Sequence, residues 1–464
     1  MPVKLKFLGA VMTVTGSSHL ITAGKTEVLL DAGLFQGQRD AFYKVNTTFN
    51  YNPRAINALI LSHAHIDHCG NIPNLIKKGL RCKIYTTSAT KDLAALMLED
   101  SGKIQEEDIK YLNKINRRIG LPKREPLYTK KEALRATRYF RPISYGQRFC
   151  VAKNVYVTLV DAGHILGSAI TILDIKDNGK NIRLGYAVDL GRKNLPLLND
   201  PVIPKDLDYL IMESTYGGRL HAPIEEAQSK LREAISRTLR RGGKVLIPSF
   251  TLERTQEVVY FLNELLKEKL IPFVPIYVDS PLATNITELF EYHTDYLNKK
   301  IGDDIVRGES PFGLLNLRFI KEQKESKALN ADNRAMIIIA GSGMCESGRI
   351  LHHLQNNIED SRNMIVVVGY MARDTLGRRI VEKEKIVRIF GIEYELNAEV
   401  VTINAMSGHA DQRELLEFAT ACLPLKKVFL VHGEEDQTKA LLDILSLKGI
   451  SAHAPVKNEE VLLD

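Results

Sequence analysis

The stretch that decides the fold is Ser62-His63-Ala64-His65-Ile66-Asp67-His68-Cys69-Gly70, with three histidines and an aspartate within six residues. It follows the apolar run Ala58-Leu59-Ile60-Leu61, which predicts a buried strand. We therefore expect the cluster on a loop at the end of a strand. Imidazole suits borderline cations such as Zn²⁺, and a carboxylate adds charge compensation. The other interpretation is a histidine-rich surface loop whose histidines share no task.

The spacing inside the cluster favours the metal interpretation. His63 and His65 lie two residues apart and can both face one cation. Asp67 and His68 then turn toward a second cation beside it. The residues that follow, 71–79, predict a turn and a short helix.

The bulk composition places the chain in the ordinary globular class. Its 464 residues, 44% apolar and 26% charged, predict two or three domains. No segment approaches 18 uninterrupted apolar residues, so we expect no membrane span. The first residues alternate like a strand rather than a secretion signal, and the five cysteines are scattered. We expect a reduced, cytoplasmic protein.

The net charge of +7 is mild but unevenly distributed. Residues 103–141 carry twelve Lys/Arg against five Asp/Glu. Such a segment could steer a polyanion toward a nearby site. It could equally be a solvated helical face.

The pattern of strands changes along the chain. Residues 1 to about 205 alternate short apolar strands with turns, interrupted by a helix-favouring stretch between about 90 and 140. From about 225 onward, helices alternate with continuously apolar strands, which predicts parallel pairing with both faces of the sheet covered. The strands expected there are 244–247, 276–278, 336–339 and 364–368.

Three further ligand-type residues follow apolar strands, each with a glycine close by: His164, Asp189 and His432. Taken singly, each could be a capping or surface residue. Taken with the cluster, they supply what a binuclear site needs, namely histidines for each metal and a carboxylate to bridge them. Two cations about 3.5–4 Å apart would activate a bridging water and neutralise a phosphate.

These residues resemble a known family. Asp31, the cluster, His164 and Asp189 resemble, in order, the five motifs of the metallo-β-lactamase fold. Three later segments resemble motifs A, B and C of its β-CASP branch, which comprises nucleases: Glu213-Ser214-Thr215-Tyr216, Ser407-Gly408-His409-Ala410-Asp411 and Val431-His432-Gly433-Glu434. The resemblance covers the whole chain and is nearest to bacterial and archaeal relatives of the mRNA 3′-end cleavage nuclease.

The resemblance implies an α/β protein, an αββα metallo-β-lactamase sandwich with an inserted parallel-sheet β-CASP domain. The implied limits are 1–208 for the first part, 209–403 for the insertion and 404–464 for the segment that completes the first domain. It also implies two Zn²⁺ ions, with Asp31 orienting a ligand histidine. One ion would take His63, His65, His164 and Asp189, and the other Asp67, His68, Asp189 and His432.

The catalytic roles are likewise carried over from the family. A metal-activated hydroxide would attack phosphorus, with Asp67 among the catalytic residues, and His409 would protonate the departing ribose oxygen. Glu213 would hydrogen-bond His409 and raise its pKa, or it could serve only as a structural carboxylate. The residues expected to contact substrate phosphate are Ser342, Gly343, Arg349, Arg254 and Arg219.

The resemblance predicts a zinc-dependent ribonuclease that cuts single-stranded RNA as an endonuclease, a 5′ exonuclease, or both. A catalytically silent RNA-binding subunit, a DNA-directed nuclease and a small-molecule thioester or lactam hydrolase are the alternatives. We expect single-stranded RNA as the partner and no association with a membrane. Whether the protein forms a homodimer does not follow from the sequence.

Overall fold

The computed structural model describes residues 2–37, 39–177, 180–369, 371–372 and 374–464. Strands and helices are numbered in chain order. The strands are β1 (Val3–Phe7), β2 (His19–Ala23), β3 (Thr26–Leu30), β4 (Ala58–Ile60), β5 (Lys83–Thr86), β6 (Phe140–Pro142), β7 (Arg148–Ala152), β8 (Val155–Asp161), β9 (Ala169–Asp177), β10 (Lys180–Ala187), β11 (Tyr209–Glu213), β12 (Val245–Pro248), β13 (Ile276–Asp279), β14 (Leu317–Phe319), β15 (Ile337–Ala340), β16 (Met364–Val367), β17 (Ile386–Ile389), β18 (Ile392–Glu395), β19 (Glu399–Thr402), β20 (Lys427–Val431), β21 (Ala452–His453) and β22 (Glu460–Leu463). The helices are α1 (Arg39–Thr47), α2 (Ile66–Cys69), α3 (Ile72–Lys77), α4 (Ser88–Arg118), α5 (Lys130–Ala136), α6 (Ile224–Arg240), α7 (Arg254–Lys267), α8 (Pro281–Tyr292), α9 (Lys299–Val306), α10 (Gln323–Ala331), α11 (Arg349–Asn357), α12 (Leu376–Val381), α13 (Gln412–Ala421) and α14 (Glu435–Leu447).

The chain divides into two compact units. Unit 1 holds residues 1–193, 200–220 and 409–464, and unit 2 holds residues 194–199 and 221–408. The two ends of the chain therefore share a unit, and a long central segment forms the other. The domain limits predicted from the sequence assign residues 209–220 to the insertion. In the structure, β11 lies in this range and pairs with β10 and β20 inside unit 1.

Unit 1 is a sandwich of two sheets, with strand orders β22-β1-β2-β3-β4-β5-β6 and β21-β20-β11-β10-β9-β8-β7. Apolar side chains from both sheets form one core, which includes Leu5, Val28, Val157 and Leu184. On its other face, the second sheet packs against apolar residues of α13 and α14. Helices α4 and α5 contact each other beside the first sheet, where α4 also meets β6. The predicted αββα sandwich is confirmed.

Unit 2 is built on a parallel sheet in the order β14-β13-β15-β12-β16-β19. Its central strands β12, β13, β15 and β16 are buried along their whole length. This confirms the parallel pairing predicted from continuously apolar strands. In neither unit does a helix of the described residues combine the length and apolar character needed to cross a membrane.

Candidate metal centre

The histidine cluster lies between β4 and α2 on the first sheet of unit 1. His63 and His65 are in the connection, as expected, but Asp67 and His68 lie in the one-turn helix α2. The prediction of a loop was wrong for these two, because the amides of His68 and Cys69 both donate to the carbonyl of His65. His68 still lies beside His63, with the two ring centroids 4.1 Å apart.

The remaining predicted ligands come from the second sheet. His164 follows β8, Asp189 follows β10 and His432 follows β20. These strands run in the same direction through the sheet, so their carboxyl ends lie at one edge. That edge brings residues far apart in sequence to the histidine cluster.

The first group consists of His63, His65, His164 and Asp189, whose ligand atoms all lie within 4.8 Å of one another. His65 Nδ1 is 3.0 Å from His63 Nε2 and 3.2 Å from His164 Nε2. Asp189 Oδ2 is 3.2 Å from His63 Nε2 and 3.5 Å from His164 Nε2. Three imidazole nitrogens and one carboxylate oxygen thus converge on one point, which is the donor set that zinc takes.

The second group consists of Asp67, His68 and His432. Asp67 Oδ2 lies 3.4 Å from His432 Nε2 and 3.9 Å from His68 Nε2. Asp189 Oδ2 is also 3.5 Å from His68 Nε2, and Asp189 Oδ1 is 3.1 Å from His432 Nδ1. A single carboxylate, that of Asp189, therefore contacts both groups.

The charge states of His63, His164 and Asp189 suit a cation, whereas at His68 the carboxylates of Asp189 and Asp31 outweigh burial and hold the pKa well above its usual value. Burial and the neighbouring imidazoles lower the pKa of His63 to about 4 and hold the pKa of His164 well below its usual value. Although burial alone would favour protonation of Asp189, the surrounding histidines hold its pKa well below the usual range. Neutral imidazoles and an ionised carboxylate are the forms that bind metal.

Asp31, predicted to orient a ligand histidine, is fully buried and accepts from four groups. Its Oδ2 lies 2.7 Å from His68 Nδ1 and accepts from the Ser62 hydroxyl, while its Oδ1 accepts from the Ser62 amide. Tyr186 donates the fourth bond at 2.8 Å. With Nδ1 held by Asp31, the other ring nitrogen of His68 is buried with no hydrogen-bond partner among the described residues. That nitrogen lies 3.5 Å from Asp189 Oδ2 and 3.9 Å from Asp67 Oδ2.

Tyr186 and Ser62 also support the centre, and neither was predicted from the sequence. Tyr186 lies in the apolar run of β10 and is indistinguishable from a core residue in the sequence. In the structure it is fully buried, and its hydroxyl also lies 3.0 Å from Ser17 Oγ. The proximity of Ser62 to the cluster was the only signal in the sequence.

Three residues of this centre have left-handed backbone conformations that favour glycine. The φ angles are 56° at Asp31, 54° at Asp189 and 48° at His432. Such conformations cost non-glycine residues about 1–3 kcal/mol each and cluster at functional sites. These conformations lower the stability of the folded state, and they position the three side chains at the centre.

His409 and Glu213 lie beside the two groups. His409 Nδ1 is 3.1 Å from Glu213 Oε2, and Glu213 also accepts from the amide of Leu190, next to Asp189. Burial opposes the charged form of His409, but the Glu213 carboxylate outweighs it and raises the pKa of His409 to about 9. The ring of His409 lies 4.6 Å from that of His164. Glu213 therefore favours the protonated form of an imidazole that lies next to the convergent nitrogens.

The residues predicted to contact phosphate divide between the units. Arg219 is an exposed residue of unit 1. In unit 2, Arg254 is mostly buried and donates to Glu257, while Arg349 donates to Asp279 and to the carbonyls of Ile320 and Lys321. Both guanidinium groups thus have partners within unit 2, and their predicted contact with phosphate stays a prediction.

Ser342 and Gly343 lie in the turn between β15 and α11. The hydroxyl of Ser342 accepts from the amide of Glu346. A side chain at Gly343 would collide with the ring of Phe250, at 2.6 Å from an added Cβ. His353 is buried, with its Nε2 2.7 Å from Asp279 Oδ2, whereas His352 is exposed and lies against Phe390. The turn is closely packed, and close packing by itself explains why glycines occur in it.

Three separate parts of the chain match known protein families. Residues 12–88 match the metallo-β-lactamase superfamily, residues 255–380 the β-CASP domain, and residues 393–455 the Zn-dependent metallo-hydrolase RNA specificity domain. The solved structure of a protein of unknown function from Enterococcus faecalis V583 has the same fold, with a TM-score of 0.57 at 14% identity over 100% of both chains.

Relatives align over nearly the whole chain. Ribonuclease TTHA0252 of Thermus thermophilus is 37% identical, covering 95% of this chain and 95% of that protein. The transcription termination factor FttA of Pyrococcus horikoshii is 32% identical, covering 98% of this chain and 70% of that protein. The factor FttA of Methanocaldococcus jannaschii is 31% identical, covering 94% and 67%. The chain therefore belongs to the β-CASP ribonuclease family of the metallo-β-lactamase superfamily, and it is a metal-dependent hydrolase.

Proposed function

We propose that this protein is a zinc-dependent ribonuclease that hydrolyses phosphodiester bonds of single-stranded RNA. The observation that carries the proposal is the shared carboxylate of Asp189, whose Oδ2 lies 3.2 Å from His63 and 3.5 Å from His68, in two different ligand groups. Two adjacent cation sites with one common carboxylate suit in-line displacement at phosphorus. The name of the Thermus relative, a ribonuclease, supports RNA as the substrate.

The donor chemistry fits two zinc ions. One would be held by His63, His65, His164 and Asp189, and the other by Asp67, His68, Asp189 and His432. The clearest donor is Nε2 of His68, which is buried and has no hydrogen-bond partner among the described residues. When bound, the ions would supply an acidified water and neutralise phosphate charge. The protein's own part is to hold the ligand imidazoles in place, which the contact between His68 Nδ1 and Asp31 does for His68.

His409 is proposed to protonate the leaving ribose oxygen. Its Nδ1 faces Glu213, which leaves Nε2 on the opposite side of the ring to carry the donated proton. Glu213 is fixed by the Leu190 amide and so orients the ring as well as stabilising its charge. A general acid held in this way typically contributes about 10²–10⁴-fold to the rate.

Phosphate contacts are proposed for the exposed Arg219 and for the turn that carries Ser342 and Gly343. Backbone amides at the start of a helix bind anions readily, and α11 begins seven residues after Ser342. Arg254 and Arg349 are also proposed to stabilise unit 2 through Glu257 and Asp279.

The direct test measures metal content and cleavage together. Purified protein should hold about two zinc ions per chain and cut single-stranded RNA, and His65→Ala should abolish turnover. One assay should compare 5′-monophosphate, 5′-triphosphate and circular RNA with matched single-stranded DNA. Intact circular RNA would exclude endonuclease action, and turnover that persists in His65→Ala would refute the metal mechanism.

Tyr186→Phe should weaken zinc binding by about tenfold, because it removes the hydroxyl that donates to Asp31 and so loosens the support of His68. Competition with a metallochromic chelator measures the affinity. Tyr128→Phe is the matched control, since Tyr128 is also fully buried in unit 1 and donates to Ser101 at 2.8 Å. Both variants should lose thermal stability, but only Tyr186→Phe should lose zinc affinity. Equal zinc affinities would contradict the role of Tyr186.

A further inference from the structure

A cavity of about 390 Å³ lies in unit 1, outside the two ligand groups. This volume is within the range of about 300–1,000 Å³ that is usual for ligand pockets. Its walls come from the loop after β1, from the segment that runs through α1 to Tyr51, and from α3 with the turn before it. The lining includes Phe35, Lys44, Asn46, Phe49, Tyr51 and Lys457.

The walls are held in place by buried hydrogen bonds. Asn46 is 2% exposed, and its side chain bonds both the amide and the carbonyl of Phe35. Its carbonyl accepts from Asn74 at 2.8 Å, which ties α1 to α3. The loop after β1 is closed at its base, where the amides of Leu8 and Gly9 donate to Ser18. The cavity is therefore formed before any ligand arrives.

The charged residues of the lining favour an anionic ligand. Lys44 and Lys457 line the cavity, and both are exposed. Neither ammonium has an ion-pair partner within the described part of the chain, and no carboxylate belongs to the described residues of the lining. Lys6 lies close by and donates to the carbonyl of Asn50. Cations without counter-charges at a pocket bind negatively charged groups such as phosphate.

The rest of the lining suits a flat aromatic group. Phe35, Phe49 and Tyr51 are half-buried members of the wall, and the rings of Phe49 and Tyr51 lie 5.8 Å apart at 59°. Aromatic side chains beside cations are the usual means by which proteins bind single-stranded nucleic acid, because every base has a face for stacking. The combination matches a base and its phosphate.

The cavity shares its wall with the metal centre. The lining residue Ala10 accepts from the amide of His432 at 2.7 Å, and the lining residue Ala32 donates to the carbonyl of His68 at 2.8 Å. A Cβ added to Gly33, also in the lining, would fall 1.5 Å from the carbonyl oxygen of Asp67. A ligand in the cavity is thus separated from the candidate metal ligands by one layer of backbone.

We propose that this cavity binds one nucleotide of the RNA, with its base against Phe35, Phe49 and Tyr51 and its phosphate at Lys44 and Lys457. The assignment to RNA rests on the proposed function, whereas the nucleotide chemistry of the cavity does not. The site would fix the path of the strand beside the metal centre and favour single strands, whose bases are free to enter.

The test uses the zinc-loaded full chain and two variants. Lys44→Ala/Lys457→Ala removes the charges, and Phe49→Leu removes one ring while keeping an apolar side chain. Lys25→Ala/Lys78→Ala, at exposed lysines of unit 1 outside the lining, and Phe149→Leu, at a half-exposed ring against Tyr85, are the matched controls. Calorimetry with adenosine 5′-monophosphate, adenosine and inorganic phosphate measures binding, and cleavage of single-stranded RNA gives kcat and KM.

We expect adenosine 5′-monophosphate to bind more tightly than either adenosine or phosphate, and to compete with RNA. The double lysine variant should raise the KM for RNA at least about tenfold with little change in kcat, and Phe49→Leu about fivefold or more. The logarithmic salt dependence of RNA binding should become shallower by about 0.7 for each phosphate that the variant no longer neutralises. A photoreactive azido analogue of the nucleotide should label residues 44–51, and the control variants should behave as the wild type.

The outcomes distinguish nucleotide binding in the cavity from the proposed ribonuclease activity. RNA cleavage with unchanged KM in both cavity variants would overturn the proposal and leave the ribonuclease intact. Nucleotide binding that both variants abolish, without competition against RNA, would mean a free-nucleotide site and would overturn the RNA assignment. Binding of phosphate as tight as that of the nucleotide would also overturn it. If the wild type cleaves no RNA but binds the nucleotide in the cavity, the proposed function fails and the nucleotide site stands.

Discussion

Asp67→Ala should lower the rate of RNA cleavage by at least about 10³-fold, since a metal ion contributes several kcal/mol of charge stabilisation to such reactions. Asp67 Oδ2 lies 3.4 Å from His432 Nε2 in the second ligand group. Without it, the second group keeps only the imidazole nitrogens of His68 and His432 and a share of Asp189. We therefore expect zinc content to fall from two to about one per chain, measured by elemental analysis alongside the rate.

Asp108→Ala is the control for this variant, because Asp108 is an exposed aspartate of α4 in the same unit. It should keep both the metal and the rate. Asp67 is itself partly exposed, with 23% of its side chain accessible, so its removal should leave the fold intact. An Asp67→Ala protein that cleaves RNA near the wild-type rate would refute the second metal site.

His409→Ala should lower RNA cleavage by about 10²–10⁴-fold while zinc content stays the same, because His409 is proposed as an acid and not as a ligand. The leaving group provides the discriminating readout. A nitrophenyl phosphodiester releases a phenolate that needs no proton, so the variant should hydrolyse bis(4-nitrophenyl) phosphate at nearly the wild-type rate.

His453→Ala provides a matched control, since His453 forms a comparable pair with Glu459 at 2.7 Å in unit 1, outside the metal centre. It should cleave both substrates normally. If His409→Ala lost the nitrophenyl substrate and RNA to the same extent, His409 would have a structural role or a metal role instead. Loss of zinc in this variant would lead to the same conclusion.

Much of the fold followed from local pattern. The mainly apolar runs at 244–247, 276–278, 336–339 and 364–368 became parallel strands, because strands buried on both faces favour apolar residues at successive positions. The charged stretch between 90 and 140 became α4 and α5. The one-turn helix at Ile66–Cys69 was not expected, since four residues are too few for a helical periodicity to show.

The polar supports of the site are less visible in sequence. Tyr186 in β10 has the pattern of a core residue, and only its position opposite Asp31 makes its hydroxyl part of the centre. Likewise, the sequence shows that Arg254 and Arg349 have the residue type that phosphate prefers, but it does not show that the fold pairs them with Glu257 and Asp279. The side chain's neighbours decide its role, and those neighbours come from distant segments.

By itself, the sequence determined the chemistry of the centre: the cluster at 63–68, with a histidine or an aspartate after three further strands, specifies nitrogen and carboxylate donors for a cation. The tertiary structure alone decided how these donors are shared. Because β8, β10, β11 and β20 end at one sheet edge, Asp189 reaches both ligand groups and Glu213 reaches His409. It also formed the lysine- and aromatic-lined cavity beside them, from segments that have no common motif in the chain. Such distances depend on strand order and register, which the local pattern of residues does not encode.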